Sequence, residues 1–308
     1  MAQIAVVFPG QGSQYVGMGQ GFCAASAQAR EIMAQAEAIS GLPIGRLCLE
    51  GPLDELTLTV NLQPAVVAVD LCAWLALKEA GVTPLAVAGH SLGEYPALVA
   101  AGAISVEKCL ELVSLRGRLM DREANANPGA MAAIMGLSPE DVAQLCLDAG
   151  GVVQPANYNT PQQTVITGAA AAVAQASALA KERGGKAIPL KVSGAWHSPL
   201  MAQAGVEMKA ALAGVEFAPL ACLHVPNVSG EPTRDAAQAQ DQLRDQLTSP
   251  VRWVQTVAAL IALGVDTFIE AGPKNVLKGL IQKSAPESVR VFNVEDPASL
   301  EKTLAELG

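Results

Sequence analysis

The chain has 308 residues, 51% of them apolar and 16% charged, with a formal net charge of −9 and a pI near 4.9. This length and composition fit a compact chain of one large or two modest domains and exclude a disordered one. The acidic balance argues against indiscriminate binding to nucleic acid or to an anionic membrane surface.

The first apolar run, Ile4–Phe8, stops at Pro9-Gly10-Gln11-Gly12 and predicts a strand that enters a tight loop. Helical periodicity follows over 22–40 and 64–80, then a second buried strand over 85–88. Helices are predicted over 92–101 and 106–123. This alternation predicts a mostly parallel sheet with helices on its faces. Residues 129–191 have another rhythm: a strand at 130–135, then a helix over 138–148 opened by Ser138-Pro139-Glu140-Asp141. Two strands, 152–158 and 163–167, flank Asn159-Thr160-Pro161; an alanine-rich helix at 169–183 and a strand at 186–192 follow. The order βαββαβ is that of a ferredoxin-like unit. The expected fold is α/β, with a core of 1–127 and 193–308 and a small subdomain of 128–192. A late strand is expected over 265–269, before Glu270-Ala271-Gly272-Pro273.

No basic leader precedes the first strand, and the longest apolar run, 65–77, is interrupted by Asp70 and too short to cross a bilayer. A cytoplasmic protein without membrane contact is expected. Cys23, Cys48, Cys72, Cys109, Cys146 and Cys222 form no CxxC pair and fit small core residues in a reducing compartment. With His90, His197 and His224 as the only histidines, no zinc-type spacing occurs, and no metal site is expected.

The sharpest local signal is Gly89-His90-Ser91-Leu92-Gly93, between an apolar run and a helical segment. Strand, sharp turn and helix make the nucleophile-elbow context, in which the serine hydroxyl projects beyond the sheet. The N–H of Leu92 can then face a developing oxyanion. A serine needs a base. His197 lies downstream of Ser91, after the inserted unit, in the serine-before-histidine order of hydrolase-like folds. Spacing alone leaves His90 and His224 open, and it leaves Arg116, like Arg118 and Arg122, readable as a surface arginine on a charged helix face.

Six ordered blocks resemble the acyltransferase family of fatty-acid and polyketide synthesis. They are Pro9 to Gln14, Gly89 to Tyr95, Arg116 to Met120, Asn157 to Pro161, Val192 to Ser198, and Glu270 to Pro273, and they cover nearly the whole chain. The resemblance implies a hydrolase-like core with a ferredoxin-like insert. It implies Ser91 as nucleophile, His197 as base and then acid, and the N–H groups of Gln11 and Leu92 as oxyanion hole. It also implies that an oxygen at the Gln246 position orients the histidine in place of a triad aspartate. Arg116 is implied to hold a malonyl carboxylate, which a planar guanidinium can grip with two parallel hydrogen bonds. His90 and Asn159 are expected to line the acyl pocket. Trp196 stands where the family often has phenylalanine, a bulky wall that should crowd an α-methyl branch by ~1–3 kcal/mol.

The implied reaction moves malonyl from malonyl-CoA, a coenzyme A thioester, to the phosphopantetheine thiol of acyl carrier protein in ping-pong order, with no bound cofactor. The rivals are a trans-acting polyketide acyltransferase, the malonyl-transfer subunit of a malonate decarboxylase, and an acyl-thioester hydrolase. An acidic carrier would need a local basic patch, for which Lys181, Arg183, Lys186 and Lys191, or Lys274, Lys278 and Lys283, are candidates.

Overall fold

The computed structural model describes residues 2–307. The strands are β1 (Ile4–Phe8), β2 (Ala86–Gly89), β3 (Gly129–Met135), β4 (Val153–Thr160), β5 (Gln163–Ala169), β6 (Lys186–Pro189), β7 (Leu223–Val225), β8 (Thr267–Ala271) and β9 (Arg290–Val294). They form two sheets.

The first sheet has the order β7-β2-β1-β8-β9, with every pair parallel. Ala5 to Phe8 of β1 are all fully buried, because both faces of the sheet are covered. Val6 and Phe8 enter the core beneath the long helices Thr59–Glu79 and Val106–Ala126. Ala5 and Val7 enter the opposite core, with Trp253, Val257 and Phe268. Burial on two faces is why β1 reads as an unbroken apolar run.

The second sheet, β4-β5-β3-β6, is antiparallel and has the ferredoxin-like strand order. Helices Pro139–Ala149 and Ala170–Glu182 bury Val142, Leu145, Val173 and Ala176 against Ile134 and Ile166. Ser138 caps the first of them, accepting the Asp141 N–H at 3.1 Å with Pro139 at the first helical position. The second sheet is tied to the rest of the chain where Val251 N–H donates to Ala156 O and Tyr158 N–H donates to Val251 O.

Several boundaries differ from the sequence reading. The helix expected over 22–40 is two helices, Gln20–Ala25 and Ala27–Ser40, because Ser26 leaves helical geometry to cap the second. The next helix starts at Thr59, five residues early, and holds Pro64 inside it. At 21 residues this helix is long and apolar enough to cross a membrane, so the 65–77 run understated it; 83% of its apolar window is nevertheless buried inside the fold. Strand β4 runs through Asn159 and Thr160, leaving Pro161 and Gln162 as the turn, because register shifts absorb the extra residues. Strand β6 ends at Pro189 rather than 192. Strands β7 and β9, the first only three residues long, are too short or too exposed to announce themselves.

Candidate active site

Ser91 follows β2 after one residue, His90, and opens a 3₁₀ turn, Ser91–Gly93, that runs into helix Glu94–Ala100. Its φ is 51°, a left-handed value that costs a non-glycine residue about 1–3 kcal/mol and persists only where the surroundings impose it. The flanking glycines allow that geometry. A Cβ on Gly89 would lie 1.9 Å from the Gly93 carbonyl carbon, and a Cβ on Gly93 would lie 2.0 Å from Phe8 O. The elbow is thus pressed onto the end of β1, and only glycine fits at both places.

The structure brings Ser91 and His197 together across 106 positions of chain: Ser91 Oγ lies 2.7 Å from His197 Nε2. His197 also has a positive φ, 59°, and is almost fully buried. Its Nδ1 lies 3.0 Å from both Gln246 O and Ser249 O. Main-chain carbonyls only accept, so Nδ1 carries the proton and Nε2 presents its lone pair to the serine hydroxyl. Burial, then the nearby Arg116 charge, hold the His197 pKa down at about 3, so the imidazole is neutral and free to take a proton. Both oxygens facing Nδ1 are peptide carbonyls, one of them that of Gln246, whose side chain turns instead to Arg116, Ser91 O and Glu94.

Arg116 is not a surface residue. It is 1% exposed, and its Nη1 donates to Gln63 Oε1 at 2.6 Å, its Nη2 to Ser91 Oγ at 3.0 Å and to Gln246 Oε1 at 3.2 Å. The guanidinium also sits over the Tyr95 ring, 5.7 Å from its centroid. A buried cation within hydrogen-bond reach of the serine oxygen can stabilise negative charge there and bind an anion beside it. Arg122, by contrast, is a half-exposed partner of Glu123 and Glu207.

Gln11, His90, Ser91, Met120, Met131, Asn157, Trp196 and His197 line one cleft between the two sheets. Leu92 is buried immediately after the serine. Of the two residues expected to line the acyl pocket, His90 lines this cleft. Asn159 stands behind it, its Oδ1 2.8 Å from His90 Nε2, while Asn157 reaches the cleft. His224 lies on β7, fully buried and away from the cleft, which removes it as a rival base.

Sequence reasoning missed four contributors. Gln63 anchors Arg116; Gln154 Nε2 donates to His197 O at 2.9 Å; Ser249 supplies a carbonyl to the imidazole; and Asn227 braces the elbow from below. Gln154, Ser249 and Asn227 act through or upon the backbone, and Gln63 reaches Arg116 from another helix, so no local pattern marks any of them. Among the described residues, no group of three or more His, Cys, Asp or Glu is placed to hold a metal ion. The six cysteines are unpaired, and all but Cys23 are buried.

A strained serine at a strand–helix turn, facing a neutral and oriented imidazole on a parallel sheet, is the arrangement of serine-nucleophile enzymes that transfer or hydrolyse acyl groups. The chain belongs to the acyl transferase family, whose domain matches residues 5–300. It is 42% identical to the malonyl CoA-acyl carrier protein transacylase of Bacillus subtilis (strain 168), covering 100% of this chain and 98% of that one. Among solved structures it is similar to an acyl carrier protein S-malonyltransferase of Vibrio cholerae, with TM-score 0.93 and 40% identity over 98% of this chain and 100% of the other. It also resembles a malonyl-transacylase in complex with its type II PKS acyl-carrier protein, with TM-score 0.94 and 37% identity over 99% and 100% of the two chains.

Proposed function

We propose that this protein transfers a malonyl group from malonyl-CoA to the phosphopantetheine thiol of acyl carrier protein, through an ester on Ser91. The observation that carries the reading is Arg116: a buried guanidinium 3.0 Å from Ser91 Oγ, placed to pair with a carboxylate on the acyl group. A neutral acyl group would leave that buried charge without an anionic partner on the substrate.

In the first half-reaction Ser91 Oγ attacks the thioester carbonyl as His197 Nε2 takes its proton. The N–H groups of Gln11 and Leu92 receive the tetrahedral oxyanion, and His197 returns the proton to the departing coenzyme A thiol. The carrier thiol then gives its proton to His197 and attacks the ester through a second oxyanion in the same hole; its collapse breaks the bond to Ser91 Oγ, which leaves with the proton returned by His197. Trp196 walls the cleft where an α-methyl branch would project. No resident cofactor takes part in this scheme. Residues 128–192 form the small subdomain and 1–127 with 193–308 the core, and the cleft between them admits the pantetheine arm. Lys191 and Lys274 suit the acidic carrier best of the candidate cations: Lys191 sits in a groove with Gln11, and Lys274 Nζ lies 3.4 Å from Gly12 O. Arg183 is already paired with Asp148. A cytoplasmic location fits this chemistry.

The test is incubation with labelled malonyl-CoA and purified holo carrier protein, with transfer and hydrolysis followed in parallel. Label on the carrier supports the reading; free malonate in its place makes the protein a thioester hydrolase.

A further inference from the structure

The strained backbone of Ser91 is held from outside the elbow. Asn227 Oδ1 accepts the Ser91 N–H at 2.7 Å, and its Nδ2 donates to Gly89 O at 2.6 Å. On the other side Gln246 Nε2 donates to Ser91 O at 2.8 Å. Both clamps converge on one carboxylate. Glu94 Oε2 accepts Gln246 Nε2 at 2.8 Å and the Asn227 N–H at 3.3 Å. Gln246 matters twice, because its own carbonyl orients His197. Glu94 is fully buried, and its second oxygen, Oε1, has no hydrogen-bond partner. Nor do the two ring nitrogens of His224, whose Nε2 lies 3.9 Å from that oxygen.

We propose that Glu94 is a positioning residue for acyl transfer, its ionised carboxylate holding Gln246 and Asn227 against the two sides of Ser91 so that Oγ stays on His197 Nε2. The inference rests on Ser91 being the nucleophile. A proton on Glu94 has one place to go, the unpartnered Oε1, and one acceptor to approach, the unpartnered His224 Nε2. Closing that 3.9 Å gap draws the carboxyl toward β7 and away from its two donors. The remaining bonds also lose their charge assistance, which roughly doubles a hydrogen bond's strength. The charged and titratable groups facing Glu94 are Arg116, whose field favours the anion, His224 on β7, and the adjoining Tyr95 phenol. Burial dominates and pushes the Glu94 pKa up to about 7, whereas His197 is held at about 3. A fall in rate as pH drops through about 7 therefore does not belong to the base; burial pushes Glu270 to about 7 as well, and the acid limb is Glu94's if it is lost in Glu94→Gln.

The experiment is single-turnover acylation of the full-length protein by malonyl-pantetheine, which lacks the titrating phosphates of coenzyme A, from pH 5.5 to 8.5. The wild type should lose about tenfold in rate toward low pH. Glu94→Gln is isosteric and places an amide N–H where the proton would sit. It should be slow and flat across the range, near the low-pH wild-type rate, with saturation by substrate changed less than about twofold. A Glu94→Gln variant that keeps the wild-type rate or the wild-type acid limb overturns the proposal, as does a flat wild-type profile. His224→Leu removes the acceptor, so it should retain the rate at pH 8.5 and move the acid limb to lower pH; an unmoved limb also overturns the proposal. Mass spectrometry separates the two levels. A wild type without malonyl on Ser91 refutes the nucleophile assignment itself, while a normal Ser91 adduct with unaltered Glu94→Gln kinetics refutes only the positioning role.

Discussion

Replacing Arg116 with alanine should change which acyl group the enzyme selects. Three of the five N–H donors of the guanidinium are engaged, on Gln63, Ser91 and Gln246, and its Nε is buried without a partner. Acylation turns the Ser91 hydroxyl into an ester oxygen, a poorer acceptor, and so releases an N–H for the malonyl carboxylate. Removing one member of a desolvated charge pair costs ~2–5 kcal/mol. At ~1.4 kcal/mol per tenfold, the malonyl preference should drop by ~30-fold to ~3,000-fold. Arg116→Ala also strands Gln63 Oε1 and Gln246 Oε1, at ~1–3 kcal/mol for each buried acceptor left unmade. That damage falls on every substrate alike. The measurement is therefore the ratio of kcat/KM for malonyl-CoA over acetyl-CoA, in which the shared loss cancels. Arg116→Lys should fall between the two, since one ammonium cannot bridge Gln63 and Gln246 and still offer a fork. An unchanged ratio in Arg116→Ala, with both substrates slowed equally, would refute the carboxylate role and leave Arg116 as a support for Gln63, Gln246 and Ser91.

Ser91→Ala should abolish both acyl-enzyme and transfer, a loss of up to ~10⁶ in rate in comparable serine enzymes; a malonyl adduct elsewhere in the wild type would contradict the mechanism. His197→Ala should cripple acylation with the thermal midpoint little changed, whereas an equal collapse in His224→Leu at pH 8.5 would show that the base has been misassigned. Gly93→Ala forces a Cβ to 2.0 Å from Phe8 O, where backbone must shift on both sides. It should cost ~1–3 kcal/mol of stability with loss of transfer, read by thermal unfolding and rate, and a wild-type midpoint would mean that the elbow is looser than its geometry implies.

The parts of the fold legible in the sequence are those whose burial writes a period into the residues. Strand β1 and the βαββαβ unit show themselves because buried faces demand apolar residues at fixed spacing and because Ser138 and Pro139 begin a helix by their own chemistry. The start of the long helix at Thr59 is hidden, since Pro64 suggests a first turn and tertiary packing overrides it. Strand β7 is hidden because three residues carry no period, yet it carries His224, and the loop after it carries Asn227.

In the site, legibility divides by what a residue touches. Ser91, His197 and Arg116 stand in blocks that resemble the family's, because the roles proposed for them demand particular side chains. Arg116 is nevertheless indistinguishable from Arg118 or Arg122 by spacing, since burial of a charge is decided by distant segments such as the 3₁₀ turn bearing Gln246. Asn227, Ser249 and Gln154 act on main-chain atoms or offer them. A peptide carbonyl orients an imidazole whatever side chain it belongs to, so nothing at Ser249 needed to look catalytic. Glu94 is the instructive intermediate. It sits inside the elbow block, three residues after Ser91, where a first-turn acid reads as ordinary helix-dipole chemistry. Only the folded chain shows that its carboxylate faces inward to Gln246 and Asn227. An acid that merely served the dipole would gain by exposure to water. Full burial of Glu94 instead raises the energy of its charged form. A fold that keeps a carboxylate there, bonded to the two residues that hold Ser91 on either side, gives up stability for a geometry at Ser91.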